Sequence, residues 1–200
     1  MEKIRRIPIL VWFLVVAVII LVGGVWYFST MSDDAMKEGD DLSIVSVSKP
    51  VAGTKEFKIE SRHHTASGVP VTNYNSNPPN SGDHWAAPAK NGIYDKQLPD
   101  EQLVHNLEHG HVWIAYMPEG KGEATTGAKV KPASKEVIKK LEEIVKADDW
   151  KIVLEPRSQN QSTIALAAWG RVLNMDTVDY EKVKDFIRTY RNHGPEKTPE

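Results

Sequence analysis

The stretch LPDEQLVHNLEHGHVWIAYMP, residues 98–118, holds a predicted helix that is followed at once by a predicted strand. Apolar residues recur at helical spacing up to Gly110, and glycine is favoured just past the end of a helix. The β-branched and aromatic run over 111–118 indicates a strand, which Pro118 ends. At about 100° per residue, three side chains of the helix share one arc and should face the core, namely Leu103, Val104 and Leu107.

Two more helices and two more strands are predicted downstream. Residues 134–148 carry an apolar stripe at helical spacing, and 176–194 begin and end with residues typical of helix caps. Residues 150–156 and 163–170 are predicted strands, and the turn at 157–162 favours an antiparallel hairpin between them. The sequence therefore predicts an α+β fold, with one domain whose small mixed sheet is packed by about three helices. This order is similar to the C-terminal part of thioredoxin-like folds.

The N-terminal part predicts a membrane anchor. Residues 7–28 carry no charge and are long enough to span a bilayer as a helix. Basic residues precede this run and two aspartates follow it, so the positive-inside rule places the 1–6 tail in the cytoplasm. We therefore predict an uncleaved single-pass anchor, a linker over 29–55 and an extracytoplasmic domain over 56–196. A cleaved signal peptide is the alternative, but the apolar run is longer than a usual signal.

The composition excludes several classes of protein. The 200 residues are 40% hydrophobic and 26% charged, which is enough for a packed core, and the net charge of −2 argues against nucleic-acid binding. Cysteine is absent, which excludes disulfides, thiolate metal sites and cysteine nucleophiles. Any metal site must therefore use histidine, carboxylate, methionine or backbone oxygen.

Histidines are concentrated in the first predicted helix. His105 and His109 are four positions apart and so lie on the same helix face. That spacing lets both imidazoles bind one ion, as in the helix-borne histidine pairs of zinc enzymes. Glu108 can hold an imidazole through its N–H or act as a base. These three residues fall beside the apolar arc, where a side chain can be partly desolvated and still reach a cavity.

Two histidines alone do not complete a metal site, because zinc and copper take three or four protein ligands. The loop NSNPPNSGDHWAAP, residues 75–88, supplies His84, and Trp85 beside it can shield a site from solvent. The segment before that loop offers His63 or His64. The sequence HNLEH also matches H-x-x-E-H, the inverted zinc-protease motif, which makes a hydrolase one alternative. A metal-free cluster of hydrogen-bonded histidines is another.

Four motifs together resemble a known family. NSNPPNSGDHW, GIYDKQLPDEQLVHNLEHGHVWIAYMP, IALAAWGRV and FIRTYRNHGPE follow the motif order of the bacterial domain-of-unknown-function family 3105 over about residues 56–196. Members are typically membrane-anchored or secreted, and their function is not established. The resemblance implies a metal site of four histidines, with Glu108 and Trp85 in support; the four are His64, His84, His105 and His109. Here His111 and Asp83 depart from the family pattern, which makes His111 a poor ligand candidate.

The resulting prediction is a bacterial single-pass membrane protein, with its N-terminus in the cytoplasm and its domain outside. The domain would bind copper or zinc through the histidine cluster, in metal handling or as a metal-stabilised envelope module. The alternatives are a metal-dependent hydrolase with Glu108 as base and a metal-free structural or interaction domain. The membrane is one predicted partner and nucleic acid is not. The sequence names no protein partner and leaves enzymatic activity open.

Overall fold

The computed structural model describes residues 43–120 and 130–199, together with three helical positions at 18, 20 and 23. Residues 42–200 form one compact unit, and residues 1–41 are assigned to another. No helix within the described residues is long and apolar enough to cross a membrane. The predicted anchor over 7–28 lies outside the described residues, apart from those three positions.

Strands in the described part of the chain form two sheets. The strands are β1 (Lys55–Glu56), β2 (His64–Thr65), β3 (His84–Trp85), β4 (Gly92–Ile93), β5 (Val112–Tyr116), β6 (Ile152–Pro156), β7 (Ile164–Ala168) and β8 (Arg171–Met175). The larger sheet has the order β1-β8-β7-β5-β6-β4. Its β4, β5 and β6 are parallel, whereas β1, β8, β7 and β5 pair antiparallel in turn. The smaller sheet is the parallel pair β2–β3.

Within residues 43–120 and 130–199, two helices lie between strands, α1 (Asp100–Glu108) and α2 (Lys135–Ala147), and a third, α3 (Tyr180–Tyr190), follows β8. The side chains of Ser134 and Asp179 cap α2 and α3, because each accepts a hydrogen bond from the main-chain N–H three residues on. Helix α1 has no such side-chain cap; it ends at Glu108, and Gly110 follows its C-cap His109 with a φ of 81°, which suits glycine. Its apolar arc is fully buried, as the sequence predicts.

The sheet separates two apolar clusters. Helices α2 and α3 pack on one face, where Ile114 and Leu154 are buried among residues of both helices. Helix α1 packs on the other face, where Leu103 and Leu107 meet Trp113 of β5. Side chains alternate across each strand, so the buried central strand β5 serves both clusters. The mixed sheet with three helices confirms the predicted α+β class.

One predicted pairing is wrong. The turn after β6 does not form a hairpin with β7, because β5 lies between these two strands. The main-chain N–H of Arg157 donates to the Tyr116 carbonyl, and that of Met117 donates to the Thr163 carbonyl, so the connection passes around the end of β5. The actual hairpin joins β7 to β8 through Gly170, which has a φ of 72°. Strands β5 and β6, which helix α2 connects, pair parallel to each other.

Candidate metal centre

The small parallel sheet places two histidines side by side. In the β2–β3 register His64 lies opposite His84, and the main-chain N–H of His84 donates to the His63 carbonyl at 3.0 Å. Neighbouring strand residues point to opposite faces, so His63 turns away from the site. Its side chain is 81% exposed, and its Nδ1 lies 3.6 Å from Asp83 Oδ1. Of the two adjacent candidates, the structure therefore brings only His64 to His84.

The proline-rich loop before β3 is buried and fixed at several points. Arg157 donates to Asn77 Oδ1 at 2.5 Å, and the Asn77 amide donates to the Gln159 carbonyl at 2.8 Å. The Gly170 N–H donates to the carbonyl of Asn80, which is fully buried. The loop is thus held by the two chain segments that flank β7. This attachment fixes the position of His84, which follows directly.

Helix α1 brings the remaining donors to the small sheet. His105 and Glu108 lie one helical turn apart on the buried side of α1, which packs against β3. Together with His64 and His84 they form a group whose ligand atoms all lie within 4.8 Å of one another. This group of His64, His84, His105 and Glu108 is called the inner site below. Only His64 is substantially exposed to solvent, with 43% of its side chain accessible.

Two imidazoles of the inner site are anchored through the same ring atom. His84 Nδ1 donates to the Gly82 carbonyl at 2.7 Å, and His105 Nδ1 donates to the Trp85 carbonyl at 2.7 Å. A carbonyl can only accept, so the proton of each neutral ring is on Nδ1 and the lone pair is on Nε2. This is the second-sphere arrangement typical of metal-binding histidines, in which the anchored N–H fixes both tautomer and orientation.

The carboxylate of Glu108 is fixed between a cation and the histidines. Its Oε1 accepts from Arg62 Nε at 2.7 Å, and its Oε2 lies 2.9 Å from His84 Nε2 and 3.4 Å from His64 Nε2. Burial alone would raise the pKa of Glu108, but the hydrogen bonds and charges of His84 and Arg62 outweigh burial and lower it to about 2. Glu108 is therefore an anion at neutral pH although its side chain is only 1% exposed.

His105 is held in its neutral form. Burial lowers its pKa from 6.5 to about 4, and the neighbouring histidines add to this effect, while its hydrogen bond to the Trp85 carbonyl opposes it. The Nε2 lone pair is consequently available at neutral pH. The ring stacks on His64 with a centroid distance of 4.8 Å and meets His84 edge-on at 5.1 Å. Three imidazoles thus converge on one carboxylate.

The other predicted site residues lie around this group. His109 is outside the inner site, but its Nε2 lies 3.1 Å from His105 Nε2. Trp85 takes part through its main-chain carbonyl, while its indole N–H donates to the Val69 carbonyl at 2.8 Å. His111 is buried elsewhere, with its Nε2 2.6 Å from Asn91 Oδ1. The sequence predicts Glu108 as a supporting residue, whereas it lies among the donors themselves.

Two charged residues near the site were not predicted from the sequence, namely Arg62 and Glu196. Neither belongs to a histidine-containing motif of the predicted site, so the search for metal ligands does not select them. Glu196 lies shortly after the turn at residues 191–192, and its main-chain N–H donates to the Glu108 carbonyl at 3.1 Å. Gly194 permits this approach, because a Cβ there would overlap the main chain of Glu108 and Gly110. The signal in hindsight is this glycine in the motif FIRTYRNHGPE.

The donor set fits a transition-metal ion. For a tetrahedral ion with bonds of about 2.0–2.1 Å, neighbouring ligand atoms are about 3.3 Å apart. The distances of 2.9 Å and 3.4 Å from Glu108 Oε2 to the two imidazoles are close to that value. His84 supplies a further sign, because its Nε2 faces a carboxylate while its Nδ1 proton is already committed. His84 Nε2 must therefore either carry the second proton of the imidazole ring or bind a cation through its lone pair.

Comparison with known proteins identifies the family. No curated protein and no solved structure matches the chain. A family model described as a protein of unknown function, DUF3105, matches residues 64–200, which is well over half of the chain and includes every donor of the inner site. The resemblance predicted from the motifs is therefore confirmed, and the chain belongs to the DUF3105 family.

Proposed function

We propose that this protein binds one transition-metal ion, copper or zinc, in the inner site and serves metal handling at the cell envelope. The observation that carries the proposal is the pair of buried histidines, His84 and His105, each anchored at Nδ1 and each part of the group whose ligand atoms lie within 4.8 Å of one another. Imidazole nitrogens suit copper and zinc, and the carboxylate supplies the negative charge that a divalent ion requires. A metal-stabilised envelope module would use the same site.

A hydrolase that uses Glu108 as its base is disfavoured. A general base works best when its pKa is near the working pH. The pKa of Glu108 is about 2, and Arg62 occupies one of its oxygens. Both features suit a permanently charged ligand rather than a group that takes and returns protons. Catalysis would need a different base.

A metal-free clasp is the second candidate function. It is favoured by the contact of 2.9 Å between His84 Nε2 and Glu108 Oε2, which a doubly protonated His84 would make as a buried ion pair. In that arrangement the cluster would hold β3 against α1 without any ion. The two candidates differ in whether the cation between these atoms is a proton or a metal.

The wider setting is also proposed from the sequence. The uncharged run over 7–28 supports a single-pass anchor, with the domain outside the cytoplasm of a bacterial cell. The strand order β6-β5-β7-β8 with α2 and α3 supports a thioredoxin-like topology for the core. Since cysteine is absent, such a core would carry no dithiol chemistry.

Metal content tests the leading proposal. The full chain, purified without a histidine tag, is reconstituted separately with Zn²⁺ and Cu²⁺, freed of excess ion and analysed by elemental mass spectrometry. The wild type should retain about one ion per chain. His105→Asn should lose it, because asparagine keeps the hydrogen bond to Trp85 but has no counterpart of Nε2. His63→Ala is the matched control, since it removes an exposed imidazole next to the site.

The outcomes separate the two candidates. Retention by the wild type and the control, with loss in His105→Asn, supports the metal site. Absence of a stoichiometric ion in the reconstituted wild type would rule out metal binding. A large loss of stability in His84→Ala would then identify the cluster as the clasp.

A further inference from the structure

A second group of donors adjoins the inner site and shares one of its residues. His109 Nε2 lies 3.1 Å from His105 Nε2 and 3.3 Å from Glu196 Oε2. Both distances match the separation of about 3.3 Å between neighbouring ligands of a tetrahedral ion. His105 has only Nε2 to offer, because its Nδ1 is bound to the Trp85 carbonyl. It can therefore serve one ion at a time, in either group.

One guanidinium orients the carboxylates of both groups. Arg62 donates from Nε to Glu108 Oε1 at 2.7 Å and from a terminal nitrogen to Glu196 Oε1 at 3.0 Å. In each carboxylate the other oxygen, Oε2, lies beside histidine nitrogens. The two groups thus repeat the same design, in which one oxygen is held by Arg62 and the second is presented to imidazoles.

Exposure to solvent differs among the donors, and His64 of the inner site is the most exposed of them, with 43% of its side chain accessible. The inner donors Glu108 and His84 have side chains 1% and 0% exposed. Glu196 and His109 are more accessible, with side chains 30% and 10% exposed. An ion from solvent would therefore meet His64 or the second group before it reached the buried donors Glu108 and His84.

We propose that His109 and Glu196 form, with His105, an outer position through which a divalent transition-metal ion enters and leaves the inner site. This inference rests on the proposed metal-binding function and adds the route of exchange. The ion first binds His109 and Glu196, then takes the Nε2 lone pair of His105. It moves inward as Glu108 and His84 replace the two outer ligands. Each step is a ligand substitution without change of oxidation state, and protons displaced from the imidazoles go to solvent.

The test measures rates and stoichiometry separately. The full chain is loaded with Zn²⁺, and release to excess chromogenic chelator is followed by stopped flow; loading of the metal-free chain is measured in the same way. In His109→Ala and in Glu196→Gln, both rates should fall at least tenfold while about one ion is still retained at equilibrium. The double variant should be no slower than the slower single variant, because the two residues act as one position.

Matched controls are His63→Ala and Glu119→Gln, which remove an exposed imidazole and an exposed carboxylate; their rates should equal those of the wild type. His109→Gln, which keeps a polar side chain, is the second variant if His109→Ala unfolds. Unchanged rates with an unchanged ion count would overturn the exchange route and leave the proposed function standing. Loss of the ion in His109→Ala would make His109 a resident ligand, which also overturns it. A wild type that retains no Zn²⁺ and no Cu²⁺ would overturn both proposals.

Discussion

The neutral state of His105 gives the sharpest prediction for stability. The pKa of this ring is lowered from 6.5 to about 4, chiefly by burial. Between these pH values His105 is protonated in the unfolded chain but neutral in the folded chain. Stability is therefore lost as the pH falls through this window, and His105 causes no further loss below pH 4. The corresponding free energy is roughly 3 kcal/mol, since each tenfold change in proton affinity is worth about 1.4 kcal/mol.

The perturbation is His105→Asn, which keeps a donor for the Trp85 carbonyl but cannot be protonated. Urea unfolding of wild type and variant is followed by tryptophan fluorescence from pH 4 to neutral pH, with chelator present to exclude metal. The free energy of unfolding of the wild type, relative to that of the variant, should fall by roughly 3 kcal/mol between neutral pH and pH 4. The difference between the two proteins is the quantity to use, because Glu155 changes stability with pH in the opposite sense.

Two results would refute this reasoning. If the curves of wild type and His105→Asn run parallel between neutral pH and pH 4, His105 is not a buried ring that resists protonation. If the control His63→Asn gives the same change, the effect is not specific to the inner site, since His63 is largely exposed.

Three further predictions concern residues in contact with the site or buried elsewhere in the sheet. Gly194→Ala should destabilise the fold by about 1–3 kcal/mol, because the added methyl overlaps the main chain of Glu108, and a lower thermal midpoint would show it. Arg62→Leu should cost about 3–5 kcal/mol in urea unfolding by leaving Glu108 buried without its cation; adding Glu108→Gln should recover part of that loss. Burial raises the pKa of Glu155 from 4.5 to about 8, so the wild type loses stability as the pH rises through that range. Glu155→Gln should remove this dependence and be the more stable protein above pH 8, whereas an unchanged slope would contradict the assignment.

Hydrophobic periodicity in the sequence predicts most of the helices and strands. It does not predict strand pairing, which depends on contacts between distant segments. The amphipathic stripe over 134–148 and the β-branched run over 111–118 are strong local patterns, and both elements are present. Strand β8 was not predicted, because the turn at Gly170 follows a continuous apolar run that hides the end of β7. The wrong hairpin has a similar cause: a short turn predicts direction, but only the paired sheet shows that β5 separates the two strands.

The same distinction applies to the candidate site: local spacing predicts some of its residues, and tertiary contacts bring in the others. Helical spacing predicts that His105, Glu108 and His109 lie near one another, because such positions share a face. The approach of His64 to His84 depends on the pairing of β2 with β3, two-residue strands that carry no pattern of their own. Arg62 and Glu196 reach the site from opposite parts of the chain, so only the three-dimensional structure identifies them.

The segment 192–196 has a consequence for biosynthesis. It lies against the end of helix α1, yet it follows that helix by more than eighty positions in the chain. During synthesis the ribosome therefore finishes the strands, loop and helix that supply the inner donors well before it makes the segment that places Glu196 over them. Until then, the nascent chain would expose the histidine cluster without Glu196 beside it. On the proposed exchange route, uptake of an ion through the outer position can begin only when this late segment has emerged and docked.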